Sequence, residues 1–192
     1  MMMRNVFTFL VLAAALGPTA TVAATFSVLC DNSGEQIRRG CTVKLAGRIE
    51  AGDAARLRAV VKQELLDGWH YRDLLLDSPG GDVKAAIELA DVVRQALLDT
   101  TTHRLAKDYR SAKESMLAKF KCVSACFLVW VAGAERSAFM NDSQSNARAE
   151  IGLHRPYFDK ATYAQSPERV AAMQQEAMKA TQDYLQRELG QL

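Results

Sequence analysis

The segment Leu74-Leu75-Leu76-Asp77-Ser78-Pro79-Gly80-Gly81 constrains this chain more than any other. Three consecutive leucines form a short, unbroken apolar run, which suits a strand buried on both faces. The Ser-Pro-Gly-Gly behind it is a strong turn signal. Beyond the turn, Val83–Leu98 sets Ala86, Ile87, Ala90, Val93 and Leu97 at helical spacing. Upstream, Phe26–Cys30 and Thr42–Gly47 read as strands bounded by Asp, Asn, Ser and Gly, and Ala54–Leu66 reads as a helix. Strand, helix, strand, glycine turn, helix is an α/β order. Parallel strands joined by right-handed crossovers are therefore expected.

The remainder of the chain continues this pattern. Thr100–Leu105 reads as a short strand, and the charged, mostly basic Lys107–Lys121 reads as a solvated surface helix. Ser124–Ala134 is the most apolar stretch after the N-terminal segment, and its length fits a buried helix. Asn141–Ala149 is a polar loop and Glu150–His154 a strand candidate. Ser166-Pro167 opens a last helix that runs to about Leu189 and stops at Gly190.

Composition bounds the function. At 192 residues, 49% apolar and 24% charged, the sequence fits one folded domain and excludes wholesale disorder. A formal net charge of +2 gives no electrostatic case for nucleic acid as the main partner. Met1–Ala24 holds a single charged residue, Arg4, then the apolar run Val6–Leu16 and the small-x-small ending Val22-Ala23-Ala24. This pattern is expected to be a cleaved secretory signal, leaving a domain of residues 25–192 in the periplasm or outside the cell. The apolar run is shorter than the roughly 20 residues a spanning helix needs, so an uncleaved membrane anchor is the lesser alternative.

Export makes disulfides the natural state of the four cysteines, for which three connectivities are open. Local pairing, Cys30 with Cys41 and Cys122 with Cys126, is preferred. Zinc is disfavoured, because Cys122-x-x-x-Cys126 lacks a second pair of ligands at metal spacing. No cofactor is expected.

Three segments could carry chemistry: Ser78-Pro79-Gly80-Gly81, Cys122-Val123-Ser124-Ala125-Cys126 and Gly152-Leu153-His154-Arg155-Pro156. A buried helix opening at Ser124 would aim its free N–H groups above the serine. Glycines at a strand end let another backbone approach, and a histidine at a strand end can act as general base. Each residue also has a plain structural reading: Ser124 as a helix N-cap, His154 as a satisfied strand-end histidine, Gly80-Gly81 as a simple turn.

Taken together and in this order, the three segments resemble those of the Clp protease proteolytic subunit and its relatives in the crotonase-like superfamily, and most of all an exported Clp-protease-like protein. Leu75–Gly81 is similar to the family's strand and Ser-Pro-Gly-Gly. Ser124–Gly133 is similar to its nucleophile helix, and Ile151–Pro156 to its Ile-His-Gln-Pro segment. The resemblance implies a stack of βαβ units with a long C-terminal helix. It also implies a serine peptidase in which Ser124 is the nucleophile, His154 the general base, and the N–H groups of Gly81 and Ala125 the oxyanion hole. Gly80, Gly81, Asp82 and Val83 would bind a peptide or unfolded protein as an added strand. It implies self-association through the last helix, whereas no ATPase partner is inferred.

Two departures qualify the reading. The family's triad Asp lies beyond the long helix, where this sequence ends, and neither Asp159 nor Asp183 sits where the motif places it. Cys126 replaces a small glycine. The alternative is therefore a peptide-binding or scaffold protein without turnover. Acyl-CoA chemistry of the crotonase type is a third and weaker class, which the Ser124/His154 pair argues against.

Overall fold

A computed structural model describes residues 23–30, 40–67, 70–102, 120–138, 150–154, 164 and 166–190. The elements are β1 (Thr25–Cys30), β2 (Gly40–Ala46), α1 (Asp53–Asp67), β3 (His70–Asp77), α2 (Val83–Gln95), β4 (Asp99–Thr101), β5 (Lys121–Val123), α3 (Cys126–Val131), β6 (Arg136–Ser137), β7 (Glu150–Gly152) and α4 (Pro167–Leu189). They make a mixed α/β fold with a long C-terminal helix.

β1-β2-β3-β4-β6 form one sheet in that order, and β5 and β7 form a second of two strands. The β2–β3, β3–β4 and β4–β6 pairs are parallel, as the α/β order requires. The β1–β2 pair is antiparallel, contrary to the expectation of a wholly parallel sheet. The link between these strands is shorter than the dozen or so residues that a parallel crossover needs.

Leu74 and Leu76 are fully buried and Leu75 nearly so. Since successive strand residues point to opposite faces, β3 is covered on both, as its continuous apolar run implied. Val43 and Leu45 of β2 join Leu74, Leu76 and the apolar stripe of α2 in one core. In that stripe Ala86, Leu89, Ala90 and Val93 are fully buried. The Asp82 carboxylate caps α2 by accepting the Ala85 N–H at 2.7 Å. α2 ends at Gln95 rather than running on to Leu98, because Leu97 adopts φ 52° and turns the chain into β4.

α2 packs against α1, α3 and α4. α4 begins with Pro167 in its first turn and ends before Gly190, as its sequence signals indicated. It docks by its C-terminal part: Tyr184 is buried and donates its hydroxyl proton to the Leu128 carbonyl of α3 at 3.1 Å. Beside it Arg187 pairs with Asp91 of α2 at 2.8 Å, and Arg94 pairs with Glu188.

Several expectations lie outside the described residues: the signal segment up to residue 22, residues 103–105 of the Thr100–Leu105 strand, residues 107–119 of the basic stretch, the 141–149 loop and Asp159. Lys121, the last residue of the basic stretch, belongs to β5 rather than to a helix. Among the described residues no helix is long and apolar enough to cross a membrane. Cys30 and Cys41 are Cα partners at the end of the β1–β2 ladder, and their side chains lie outside the described set.

Candidate active site

The fold brings the three chemistry-bearing segments to one place. β3 ends at Asp77, and Ser78 bridges to Cys122 of β5. The Ser78 N–H donates to the Lys121 carbonyl at 2.5 Å, and the Ser78 carbonyl accepts the Val123 N–H at 3.2 Å. β5 in turn lies parallel to β7, with Val123 opposite Gly152. The Ser124 N–H then donates to the Gly152 carbonyl at 2.7 Å. Ser124 therefore follows directly on the paired end of β5, and His154 lies two residues past the paired end of β7.

The glycines make this meeting possible. A Cβ on Gly80 would lie 2.6 Å from the Val123 carbonyl oxygen, 2.7 Å from the Ser124 Cβ and 2.9 Å from the Ala125 nitrogen. Only a residue without a side chain can stand there, and its φ of 92° independently favours glycine. A Cβ on Gly81 would collide with the Ile49 carbonyl. Ile49 braces the turn from the other side: its N–H donates to the Gly80 carbonyl at 2.9 Å, and its carbonyl accepts the Asp82 N–H at 3.0 Å.

Ser78 is a supporting residue that the sequence reading passed over. It is fully buried, and its hydroxyl accepts the Gly80 N–H at 3.1 Å. A serine two residues before a turn glycine is a recognised local hydrogen-bonding pattern, so the signal was present in Ser78-Pro79-Gly80.

Ser124 does not open the helix, as its sequence suggested; it stands in the turn before it. α3 begins at Cys126 and is six residues long, and its cap position is Ala125. No side chain caps it, so Ser124 is not an N-cap. Its backbone instead holds φ 58°, the left-handed region, at a cost of about 1–2 kcal/mol for a residue with a Cβ. Such strain is kept only where the surroundings enforce it, and it gathers at functional positions. A serine on a sharp strand-to-helix turn presents its hydroxyl outward. Ser124 is partly exposed, and its hydroxyl carries no hydrogen bond among the described residues.

Cys122 and Cys126 form a disulfide across this turn, with Cα atoms 5.1 Å apart, so neither is available as a metal ligand. The two backbone donors assigned to the oxyanion belong to Gly81, which follows the Gly80 packed on Ser124, and to Ala125, which follows Ser124 itself. Gly80 and Asp82 use their polar groups on Ile49, so the Gly81 N–H faces the other way. Among the described residues no backbone carbonyl takes the N–H of Gly81 or of Ala125.

The residues assigned to peptide binding are placed unequally. Gly80 and Gly81 form the turn, Asp82 caps α2, and Val83 is the first residue of α2. Extended backbone open to pairing is thus confined to Gly81. His154 is exposed, two residues beyond the last strand residue of β7. Asp183 faces solvent on α4, where it pairs with Lys179 at 2.5 Å.

No family model matches this sequence, and no curated protein matches it. Among solved structures the chain is similar to a membrane-bound stomatin-specific protease, a mutant in complex with a substrate peptide. The identity is 15% and the TM-score 0.42, over 62% of this chain and 47% of that one. The chain thus spans about half the length of that protease.

Proposed function

We propose that this protein is an exported serine peptidase-like hydrolase with a Clp-protease-like stack of βαβ units. Ser124 attacks the peptide carbonyl and passes its proton to His154. The N–H groups of Gly81 and Ala125 stabilise the oxyanion that forms, and His154 returns the proton to the leaving amine. Water then hydrolyses the acyl-enzyme. The peptide lies beside Gly81 and pairs with its backbone.

One observation carries this reading: a partly exposed serine in the left-handed conformation, pressed against Gly80, where the next residues along, Gly81 and Ala125, carry N–H groups with no backbone acceptor among the described residues. Neither core packing nor helix capping explains it. The test is labelling of the purified protein with a fluorophosphonate probe. Wild type should label and Ser124→Ala should not; equal labelling of both, or none of wild type, overturns the reading.

A second reading rests on a separate observation. Asp183, a late carboxylate of the described chain, stands exposed on α4 and pairs with Lys179, so it does not serve as a buried triad acid. A Ser-His pair without an orienting carboxylate loses orders of magnitude in rate, about 10⁴-fold in a well-studied triad, and a site kept for peptide binding alone needs no such acid. Peptide binding that survives Ser124→Ala, with no turnover by wild type, would select this reading.

A further inference from the structure

The Cys122–Cys126 disulfide encloses Ser124, and its two ends are fixed independently of each other. Cys122 belongs to β5, where it pairs with Ile151 on one side and bridges to Ser78 on the other. Cys126 is the first residue of α3, and both cysteines are fully buried. Only Val123, Ser124 and Ala125 lie between them, and within that span the chain passes from strand to helix. The left-handed backbone at Ser124 accomplishes this change of direction.

A ring this short removes less entropy from the unfolded chain than a long loop would, so its contribution to global stability is at the low end for a disulfide. Its effect is local. Without the bridge, the turn is held by the Ser124 N–H on Gly152, the Phe127 N–H on the Ser124 carbonyl at 3.0 Å, and the contact with Gly80.

We propose that the Cys122–Cys126 disulfide is the positioning element that holds the Ser124 backbone in its reactive conformation, so that oxidation of this pair switches on the site. The claim about reactivity rests on Ser124 being the nucleophile; the claim about the backbone does not. The chemistry is ordinary thiol–disulfide exchange. A dithiol gives two electrons and two protons to the bridge, leaves two cysteine thiols, and itself closes to a cyclic disulfide.

The test compares oxidised full-length chain with two forms lacking the bridge: chain reduced by dithiothreitol, its thiols counted by mass, and the variant Cys122→Ser/Cys126→Ser. Two readouts are taken on each: the rate of fluorophosphonate labelling, and amide hydrogen exchange of segment 121–132 against that of α2. Opening the bridge should raise exchange at Ser124 and Phe127 while α2 keeps its protection. Labelling should slow roughly tenfold or more, since small misplacements of a reacting group are costly in rate. Reoxidation of the reduced chain should restore both.

Unchanged exchange at Ser124 and Phe127 in the opened forms overturns the proposal. So does labelling of folded, reduced chain at the oxidised rate. If the double variant also loses protection in α2, the reduced wild type decides. Loss there too makes the bridge a support of the whole fold and overturns the positioning role. Failure of oxidised wild type to label sinks the peptidase reading alone, and the exchange measurement still decides whether the bridge sets the turn.

Discussion

The five-stranded sheet and the β5–β7 pair are built on different principles. The large sheet is held by apolar burial. Val43, Leu45, Leu74 and Leu76 are fully buried and share one core with the stripe of α2. The small sheet has three residues per strand and too little apolar surface to stand alone. It is held by backbone hydrogen bonds to Ser78, by glycine contacts and by the disulfide. Stability resides in the first region, and precise placement of Ser124 in the second. Changes in the two should therefore affect different measurements.

The largest effect is expected in the core. Leu76→Ala removes a fully buried side chain from the middle of the large sheet. It should cost about 2–5 kcal/mol in denaturant unfolding. In the fraction that remains folded, fluorophosphonate labelling should stay close to wild type. A strong loss of labelling in folded L76A would show that the two regions are not separable.

Gly80→Ala is the opposite case. Its Cβ meets the backbone of Val123 and Ala125 and the Cβ of Ser124, none of which can swing aside as the end of a flexible side chain can. The cost in stability should be about 1–3 kcal/mol, typical of overpacking. Labelling of Ser124 should fall far more than that loss of folded protein explains. Equal falls in both would mean that Gly80 serves packing alone.

The same contrast explains what was legible in the sequence. The large sheet announces itself because burial leaves a pattern: three leucines, a glycine turn, then apolar residues at helical spacing. The order of parts, the α2 start and the whole of α4 could be read directly. β5 and β6 could not, since Lys121-Cys122-Val123 and Arg136-Ser137 are too short to show a period. The antiparallel β1 followed from the length of a loop rather than from any property of the strand. At the site, the three segments were recognisable by residue type, and the structure does bring Ser78–Gly81, Ser124 and Gly152 together. The left-handed turn at Ser124 left no sign, because serine has no intrinsic preference for it. That conformation is imposed by what surrounds it. The brace from Ile49 was equally hidden, since one backbone group of an ordinary core residue carries it.

Tyr184 tests the link between the regions, because its hydroxyl ties α4 to α3 just beyond the Ser124 turn. Tyr184→Phe removes this buried hydrogen bond and should cost about 1 kcal/mol. The phenol also predicts a pH signature. Burial pushes its pKa well above the usual tyrosine value, and the nearby Glu188 carboxylate raises it further. Below the usual value, about 10, both folded and unfolded chains keep the proton and the contribution is complete. Above it the unfolded chain ionises first, so wild type should lose stability as pH rises. The gap between wild type and Y184F should narrow in unfolding curves taken above that pH. A constant gap would show that the phenol is solvated.

The smallest effect belongs to the rim of the same contact. Arg187 bonds Asp91 of α2 at 2.8 Å and Glu188 at 3.0 Å, and its guanidinium lies 5.0 Å from the Tyr184 ring centroid. About half of the Arg187 and Asp91 side-chain surface is open to water (49% and 44%), so screening removes most of the Coulomb gain. Arg187→Ala should cost about 0.2–1 kcal/mol, as exposed pairs do, and the difference from wild type should shrink in 1 M salt. Labelling of Ser124 should not change at all, because the charges hold the outer edge of α4 while Tyr184 holds its base. A salt-independent loss larger than that of Y184F would reverse this ranking and make the charged rim, rather than the buried phenol, the joint between α4 and the rest of the fold.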